Sequence, residues 1–345
     1  MAQTLAVKYR PKTFEEVCGQ NITTTILKKV LEKQTFKNAY LFAGPSGCGK
    51  TSVARCFASA INNGIGDPIE IDAASNNGVD QVRAIIESAN QRSLTGTYKI
   101  YIIDECHAIT SAGWQAFLKG IEETPEYTIF IFCTTEPNKI PATILNRVQR
   151  FNISKIDSAE IKNRLCFICQ QEGFTNYEDT CELISKLSDG GMREAITKLD
   201  QCADFSRDLS LENSKNVLGE APFERMLKLT NCLIGGNEQF TLAAIETLAQ
   251  EGKDLKQFIN EYLSFVLELS KYILFKNISF TNIPAYLEHS EDNMISVSYT
   301  TSFEGALDWF NYISAKLLDI KSMIKYDTNV KSVIEAYMLQ ICRKM

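Results

Sequence analysis

The sequence has no run of about 18 consecutive apolar residues, the length at which a helix can span a membrane. Its start, Met1 to Arg10, lacks the charged and then apolar layout of a secretion signal. Internal repeats and low-complexity tracts are missing as well. We therefore expect neither a membrane protein nor an exported one. A hydrophobic fraction of 45% and a charged fraction of 23% over 345 residues are typical of a soluble globular protein with two or three domains.

Cysteine pairs and histidines are also scarce. The 11 cysteines are odd in number and scattered from Cys18 to Cys342, and there are two histidines. This pattern is typical of reduced thiols in a cytosol-like compartment rather than of a disulfide framework. The closely spaced pair Cys166 and Cys169 falls within a predicted helix and has neither a second pair nor histidine ligands beside it. We therefore expect no zinc.

Basic side chains are in the minority, 36 against 42 acidic ones, which gives a net charge of −6. This balance argues against a protein that coats nucleic acid with its whole surface. The charge is uneven, because residues 1–150 hold 16 basic and 14 acidic side chains whereas residues 151–345 hold 20 and 28. Any contact with nucleic acid is therefore expected to be local and to involve the first half of the chain.

Between residues 38 and 153, helical patterns alternate with four short, largely apolar runs, at residues 39–43, 69–72, 100–103 and 129–133. Nearly continuous apolar runs are typical of strands that are buried on both faces, so we predict an α/β fold with a parallel sheet and helices on both sides. Three of these strands end at Gly44, Asp104 and Thr134. Ligands bind at the carboxyl ends of strands in such sheets.

Helical periodicity replaces the strand pattern after about residue 154. Residues 158–172, 178–188 and 192–205 predict three short helices, which are separated by glycine-containing breaks. Longer helices are predicted beyond residue 210, including one from Asp254 to Phe275. The sequence therefore predicts an α/β domain, a small helical domain and a second helical region.

The strongest single motif runs from Gly44 to Thr51 and fits G-x-x-x-x-G-K-[ST] between a predicted strand and a predicted helix. Such a loop wraps its backbone N–H groups around a β-phosphate at a helix N-terminus. Lys50 is expected to bridge the β- and γ-phosphates, and the Thr51 hydroxyl to ligate Mg²⁺. The alternative is a glycine-rich turn in an inactive relative.

Two acids follow the strand at 100–103. Asp104 is expected beside the Mg²⁺, and Glu105 is expected to polarise the water that attacks the nucleotide, which favours hydrolysis over storage. His107 either relays the nucleotide state or simply begins a helix. Thr134 ends the neighbouring strand, where its hydroxyl can contact the water or the γ-phosphate, and a plain turn before Pro137 is compatible with that role.

Five stretches taken together resemble the clamp-loader ATPases of the AAA+ class, and most of all the gamma/tau subunits of bacterial DNA polymerase III. They are residues 5–20, 44–51, 69–80, 101–107 and 134–145. The resemblance is dense over residues 1–205 and looser beyond. It implies a AAA+ nucleotide-binding domain at 1–154, a three-helix lid at 155–207 and a helical collar for oligomerisation at 208–345. It also implies an ATP-driven motor subunit that opens a sliding clamp and places it on primer–template DNA.

The resemblance also implies the cofactors and partners. They are ATP and Mg²⁺, the sliding clamp, primer–template DNA and other loader subunits in a pentamer, with no membrane. The expected location is the cytoplasm of a bacterial cell or of a phage-infected one. No polymerase active site is expected in this chain. The name DNA polymerase III would describe the holoenzyme to which the chain belongs as a subunit.

Particular residues match functional positions of that family. Arg147 matches the arginine that enters a neighbouring subunit's ATP site, although its flanks Asn146 and Val148 depart from the family's Ser-Arg-Cys. Arg193 matches the lid arginine that contacts the γ-phosphate. The alternatives are a solvated surface arginine and a helix-face ion-pair partner, respectively. The catalytic set is then Lys50, Glu105 and Arg147, and the nucleotide-binding set is Ala6, Tyr9, Arg10, Val17, Cys18, Gly44, Ser46, Gly47, Cys48, Gly49, Lys50, Thr51, Ser52, Thr134 and Arg193.

The family grips template phosphates through helix N-termini and a few polar side chains, which makes Arg83, Thr110 and Ser111 the candidate DNA contacts. Relatives usually carry a four-cysteine zinc module where this chain has only residues 62–68. They also often extend past the collar, whereas this chain stops at Met345. We therefore expect a short form without zinc, of the kind suited to a reduced bacterial or a phage replication system.

Other interpretations share some of these motifs. A Holliday-junction helicase has the same phosphate loop and acids, but it normally ends in a winged helix, whereas residues 210–345 are predicted to be plain helices. A non-hydrolysing scaffold subunit is disfavoured by the presence of Lys50, Thr51, Asp104 and Glu105. An RNA helicase would need a second nucleotide-fold domain, for which no strand pattern follows.

Overall fold

The computed structural model describes residues 3–93, 96–218, 222–252, 254–275, 301–302, 304–325 and 329–344. The chain divides into two compact units, residues 1–217 and 218–345. The predicted order of an α/β sheet, three helices and a further helical region is confirmed. The three domain boundaries proposed from the sequence remain predictions.

The first unit contains a five-stranded sheet in which every neighbouring pair is parallel, in the order β2-β3-β4-β1-β5. The strands are β1 (Ala39–Ala43), β2 (Ile69–Asp72), β3 (Lys99–Asp104), β4 (Thr128–Thr134) and β5 (Gln149–Asn152). The first four lie where the apolar runs predict them. Strand β5 was missed because Phe151 is its only buried residue, so an edge strand of this kind has no apolar run to reveal it.

Helices cover both faces of the sheet. The first unit contains α1 (Leu5–Lys8), α2 (Asn21–Lys33), α3 (Lys50–Ile61), α4 (Val79–Ala89), α5 (Ser111–Glu123) and α6 (Ala142–Leu145). On β1, Tyr40 and Phe42 join one buried cluster with Phe57 of α3. Leu41 points the other way and joins the cluster that contains Phe117 of α5. This alternation with period two explains why the strand is apolar throughout.

Three helices follow the sheet within the same unit, namely α7 (Ser158–Glu172), α8 (Glu178–Leu187) and α9 (Met192–Phe205). Their ends match the predicted ones to within one residue. Asp157 caps α7 by accepting from the Ala159 N–H at 2.8 Å. Gly173 ends α7 with a φ of +69°, a conformation that favours glycine. Local capping therefore explains why these helices were readable from sequence. Helix α10 (Leu211–Leu218) follows.

The elements described in the second unit are all helices. It contains α11 (Pro222–Ile234), α12 (Glu238–Gln250), α13 (Leu255–Phe275), α14 (Ala306–Met323) and α15 (Val330–Cys342). Its core gathers Tyr262, Phe310, Ile313 and Met338. The buried Tyr262 hydroxyl lies 2.9 Å from Thr230 Oγ1, which satisfies both groups. Among the described helices of the chain, none combines the length and the apolar character that crossing a membrane requires.

Candidate functional site

A cleft of about 310 Å³ lies in the first unit at the carboxyl ends of β1 and β3. It is bounded by the N-terminal segment, the loop before α3 and the start of α9, and its size is that of a small-molecule site. The predicted residues that line it are Ala6, Tyr9, Arg10, Val17, Cys18, Ser46, Gly47, Cys48, Gly49, Lys50, Thr51, Ser52, Asp104, Glu105 and Arg193. The structure therefore brings together stretches that are far apart in the sequence.

The loop between β1 and α3 has a backbone that requires glycine at several positions. Gly47 and Gly49 have φ angles of +74° and +95°, which lie in the left-handed region. Gly44 has ordinary angles, but a Cβ there would lie 2.1 Å from the Ile153 carbonyl oxygen. Gly44 is not among the cleft-lining residues. The missing side chain of Gly44 lets the end of β1 lie close to the segment that follows β5. The loop therefore begins at the carboxyl end of β1.

Lys50 begins α3 and is only 6% exposed. Its ammonium donates to two loop carbonyl oxygens, Gly44 O at 3.1 Å and Pro45 O at 2.8 Å. Both acceptors are neutral, so these bonds hold the ammonium without neutralising its charge. A buried cation held in this way is suited to bind an anion that enters the loop.

Thr51 and Asp104 meet at the end of β3. The Thr51 hydroxyl donates to Asp104 Oδ2 at 2.8 Å, and Asp104 Oδ1 accepts from the Glu105 N–H at 3.0 Å. A hydroxyl and a carboxylate are hard oxygen ligands of the kind that Mg²⁺ prefers, with phosphate and water completing its coordination. Among the described residues no group of three or more His, Cys, Asp or Glu side chains could hold a metal ion. The Thr51 hydroxyl and the Asp104 carboxylate have the donor chemistry that Mg²⁺ takes.

Glu105 occupies the left-handed region, with a φ of +46°. Its Oε2 accepts from the Thr135 hydroxyl at 3.2 Å and lies 3.3 Å from His107 Nδ1. His107 also lies 3.2 Å from Thr134 Oγ1 and 3.5 Å from Glu136 Oε1. Thr134 is fully buried and does not line the cleft, and its hydroxyl contacts His107 and accepts from the Glu136 N–H at 3.0 Å. The hydroxyl that contacts Glu105 directly belongs to Thr135, which sequence reasoning missed.

Three arginine side chains, Arg10, Arg164 and Arg193, line the same cleft. Burial lowers the pKa of the Arg10 guanidinium, and the charges of Arg55 and Arg193 lower that pKa further. Glu70 and Asp104 act in the opposite direction. Cations that repel one another and remain charged favour a polyanionic ligand between them. The Arg193 N–H also donates to Gly47 O at 3.4 Å, which joins the start of α9 to the phosphate loop.

The N-terminal segment is held to α7 and α9 by contacts that the sequence did not reveal. Tyr9 donates its hydroxyl to Glu172, and Lys8 Nζ lies 2.6 Å from the same carboxylate. Burial, together with Glu172, raises the pKa of Tyr9 to about 12. Arg164 donates to Tyr9 O at 3.1 Å. The cleft-lining residues that were not predicted are Thr4, Val7, Pro11, Glu16, Ile156, Arg164, Met192, Ile196, Thr197 and Asp200.

A buried glutamine, Gln20, joins the phosphate loop to the segment that leads into α7. Its amide donates to Cys48 O at 3.4 Å and to Ser154 O at 2.8 Å, and its oxygen accepts from the Ser154 N–H at 3.3 Å. The Cys48 thiol reaches Gly190 O at 3.5 Å, and burial raises the pKa of this thiol. The loop is therefore tied on both sides to the region around α7–α9.

The remaining predicted residues lie outside the cleft. Arg147 follows α6, is 39% exposed at its side chain and pairs with Glu122 at 2.6 Å. Arg83 lies on α4 with its side chain 66% exposed. Thr110 caps α5 by accepting from the Gly113 N–H at 3.2 Å, and Ser111 begins that helix as predicted. Cys169 lies 3.6 Å from Cys181, and all 11 cysteines are free thiols.

Comparisons with known proteins show what the chain is similar to. A family model described as DNA polymerase III, delta subunit, matches residues 67–157. DNA polymerase III subunit tau of Bacillus subtilis is 39% identical over 292 residues, which is 78% of this chain and 52% of that protein. Subunit gamma/tau of Mycoplasma genitalium is 32% identical over 327 residues, or 88% of this chain and 53% of that protein. The chain thus spans about half the length of the curated relatives it matches.

Solved structures show the fold. The RuvB Holliday junction branch migration motor of Thermotoga maritima matches with a TM-score of 0.52 at 19% identity, covering 71% of this chain and 86% of that one. At this identity the likeness shows a shared fold and nothing more. The sequence relatives go further, because their identity extends over most of the chain. Over that extent the chain is a homologue of the gamma/tau subunits of bacterial DNA polymerase III.

Proposed function

We propose that this chain binds ATP with Mg²⁺ in the cleft and hydrolyses it as a motor subunit of a DNA polymerase clamp loader. One observation carries the proposal. Buried Lys50 is followed by Thr51, whose hydroxyl lies 2.8 Å from Asp104 Oδ2, at the carboxyl edge of a parallel sheet. A phosphate loop, an acid at a strand end and a helical segment over the opening are the parts that an ATP-hydrolysing site of this kind needs. The homology to gamma/tau subunits supports the assignment to a loader.

The triphosphate would enter the loop of residues 44–51. Its oxygens would then accept from backbone N–H groups and from Lys50, in place of the carbonyl oxygens of Gly44 and Pro45. Thr51 and Asp104 would hold the Mg²⁺, which supplies charge neutralisation on the phosphate oxygens. Arg193 would contact the γ-phosphate from the start of α9. Ala6, Tyr9, Arg10, Val17 and Cys18 would border the adenine.

For hydrolysis, Glu105 would orient and polarise the attacking water. Its contacts with Thr135 and His107 define where the carboxylate lies before the nucleotide arrives. Arg147 lies outside the cleft of its own chain and would complete a neighbouring subunit's site. Its charge would stabilise the transition state there, which couples hydrolysis to assembly. In this proposal residues 1–154 bind the nucleotide, 155–207 form the lid and 208–345 form the collar.

The partners would be the sliding clamp, primer–template DNA and other loader subunits in a pentamer, in the cytoplasm. The candidate DNA contacts remain Arg83, Thr110 and Ser111. Arg83 is the charged residue of the three, and its side chain is exposed. The phosphate contribution of each subunit would be small and would add over the assembly. A branch-migration motor is the weaker alternative, because its likeness to this chain is one of fold at 19% identity.

Steady-state ATP hydrolysis tests the proposal. The chain is assayed alone, with primer–template DNA, with the sliding clamp, and with both, in the presence of the other loader subunits of its organism. We expect strong stimulation only when DNA and clamp are present together. Stimulation by four-way junction DNA without a clamp would contradict the loader assignment. Absence of turnover under every condition would contradict the ATPase assignment.

A further inference from the structure

The guanidinium of Arg147 is held by two helices. Its Nε and Nη2 atoms each lie 2.6 Å from Glu122 Oε1, in the last turn of α5. Its Nη1 donates to Thr143 O at 2.8 Å, in α6. Three nitrogen atoms of one planar group therefore have partners on two separate elements. Such an arrangement defines the direction in which the side chain points.

These contacts occupy one edge and the back of the guanidinium. The group carries five N–H donors in a planar fork. The Nε–H and the adjacent Nη2–H face Glu122, and the Nη1–H that turns back toward the main chain suits a carbonyl four residues earlier. One N–H on Nη1 and one on Nη2 remain at the tip of the side chain. Two parallel donors of this kind match two oxygens of a phosphate group.

We infer that Glu122 is a positioning residue that orients Arg147 so that the two N–H groups at its tip reach the γ-phosphate of ATP in a neighbouring subunit. The inference rests on the proposed function, in which Arg147 acts between subunits. The side chains of Arg147 and Glu122 are 39% and 48% exposed, and exposed ion pairs contribute little to folding stability. Ordering a long arginine before the reaction removes an entropic cost from the catalytic step.

The geometry also specifies which feature of Glu122 matters. Both contacts with Arg147 end on the same oxygen, Oε1. A glutamine has one acceptor oxygen at that position, so it can keep both contacts without the negative charge. An alanine keeps neither. Positioning therefore predicts that glutamine substitutes well and alanine poorly.

The test uses the reconstituted loader with its clamp and primer–template DNA, and measures kcat and KM for ATP. Glu122→Ala is expected to lower kcat about tenfold or more with little change in KM, because a small misplacement of a catalytic group is costly. Glu122→Gln should stay within about threefold of the wild type. Glu123→Ala, an exposed neighbour on the same helix, is the matched control and should leave kcat unchanged. A Glu122→Gln variant as slow as Glu122→Ala would overturn the inference.

A second measurement separates positioning from a purely structural role. In an Arg147→Ala background, Glu122→Ala should cause no further loss, because the side chain it positions is gone. A further loss of similar size would overturn the inference, and so would a faster rate for Glu122→Ala alone, which would mean that Glu122 restrains Arg147. If Arg147→Ala itself hydrolyses ATP normally, the proposed role of Arg147 fails. If Arg147→Ala is slow and Glu122→Ala is not, only the role of Glu122 fails.

Discussion

Lys50 holds a positive charge at a position where only 6% of the residue is exposed, and its two acceptors are neutral carbonyls. An isolated buried ammonium is costly unless a counter-charge completes its surroundings. An anion bound in the loop would supply that counter-charge. Nothing in the packing of α3 requires this charge, since Val53 and Phe57 of the same helix supply its buried apolar contacts.

Lys50→Ala is accordingly expected to lower ATP turnover by about a hundredfold or more, because one preorganised donor to the phosphates is lost. The fold should persist. Turnover is measured at saturating ATP, and circular dichroism checks the helical content of the variant. Lys119→Ala, which removes an exposed lysine from α5, serves as the control. Unchanged turnover in Lys50→Ala would exclude the phosphate-loop assignment.

Arg147 is the second residue for which we predict the effect of a substitution, and here ATP hydrolysis should change while ATP binding does not. In the assembled loader, Arg147→Ala should leave ATP binding nearly unchanged and slow hydrolysis on the order of a thousandfold, the size of effect that an arginine acting between subunits has. The matched control is Arg150→Ala, because Arg150 is also exposed and its Nε contacts Asn152 at 2.9 Å. Binding is followed with a fluorescent nucleotide and hydrolysis by phosphate release. Equal rates for the two variants would return Arg147 to the role of a surface arginine.

Among the elements, the contact of the N-terminal segment with α7 depends on the charge of Glu172. Hydrogen bonds from Lys8 and Tyr9 lower the pKa of this carboxyl group. A lowered pKa in the folded state contributes stability that is present above the ordinary pKa of about 4.3, and that stability is lost as the pH falls through the lowered value. The contact should therefore hold at neutral pH and open in acid.

Glu172→Gln tests this contact. We expect a loss of less than about 1 kcal/mol in unfolding free energy at pH 7, because Lys8 is half exposed and exposed pairs are weak. The difference from the wild type should shrink toward zero as the pH falls through the lowered pKa of the folded state, because the wild-type carboxyl group then becomes protonated as well. Urea titrations over this pH range measure it, with Glu32→Gln on α2 as the exposed control. A difference that stays constant with pH would show that charge is not involved.

The same elements show how far the sequence could predict the structure. Strands β1, β3 and β4 were readable because burial on both faces makes them apolar throughout, and α7–α9 because glycines and caps mark their ends. The phosphate loop was readable because its residues are contiguous. The contacts of Tyr9 with Glu172, of Leu5 with Asp200 and of Gln20 with Ser154 were not, because each joins residues more than a hundred positions apart and leaves no local pattern.

Thr134 and Thr135 show a finer difference. The sequence predicts that the hydroxyl at the end of β4 is that of Thr134, but the hydroxyl that contacts Glu105 belongs to the adjacent Thr135. The side chain of Thr134 turns to His107 and is fully buried, whereas that of Thr135 reaches the Glu105 carboxylate. Side chains alternate along a strand, so a shift of one residue moves a hydroxyl from one face to the other. Thr134 is the last residue of β4 and Thr135 lies just beyond it, so the point at which the strand ends decides which hydroxyl reaches Glu105.

At the scale of the whole molecule, the chain has two compact units, and their buried apolar clusters share no residue. The phosphate loop, the acids, Arg193 and the N-terminal segment all belong to residues 1–217. A ligand stabilises only the folded unit that binds it, and by an amount set by its concentration relative to its Kd. Nucleotide binding should therefore act unequally on the two units.

Calorimetry of the whole chain measures this inequality. With Mg²⁺ and ADP at about 100 times the Kd, the transition of residues 1–217 should gain about 2.7 kcal/mol of stability, while that of residues 218–345 should stay where it is. Hydrogen exchange identifies which unit each transition represents, because protection by nucleotide should concentrate around the phosphate loop and α9. The Lys50→Ala chain should show a much smaller shift. A single transition that rises as a whole would mean that the two units unfold as one cooperative body, and the nucleotide would then stabilise the helical unit as strongly as the unit that binds it.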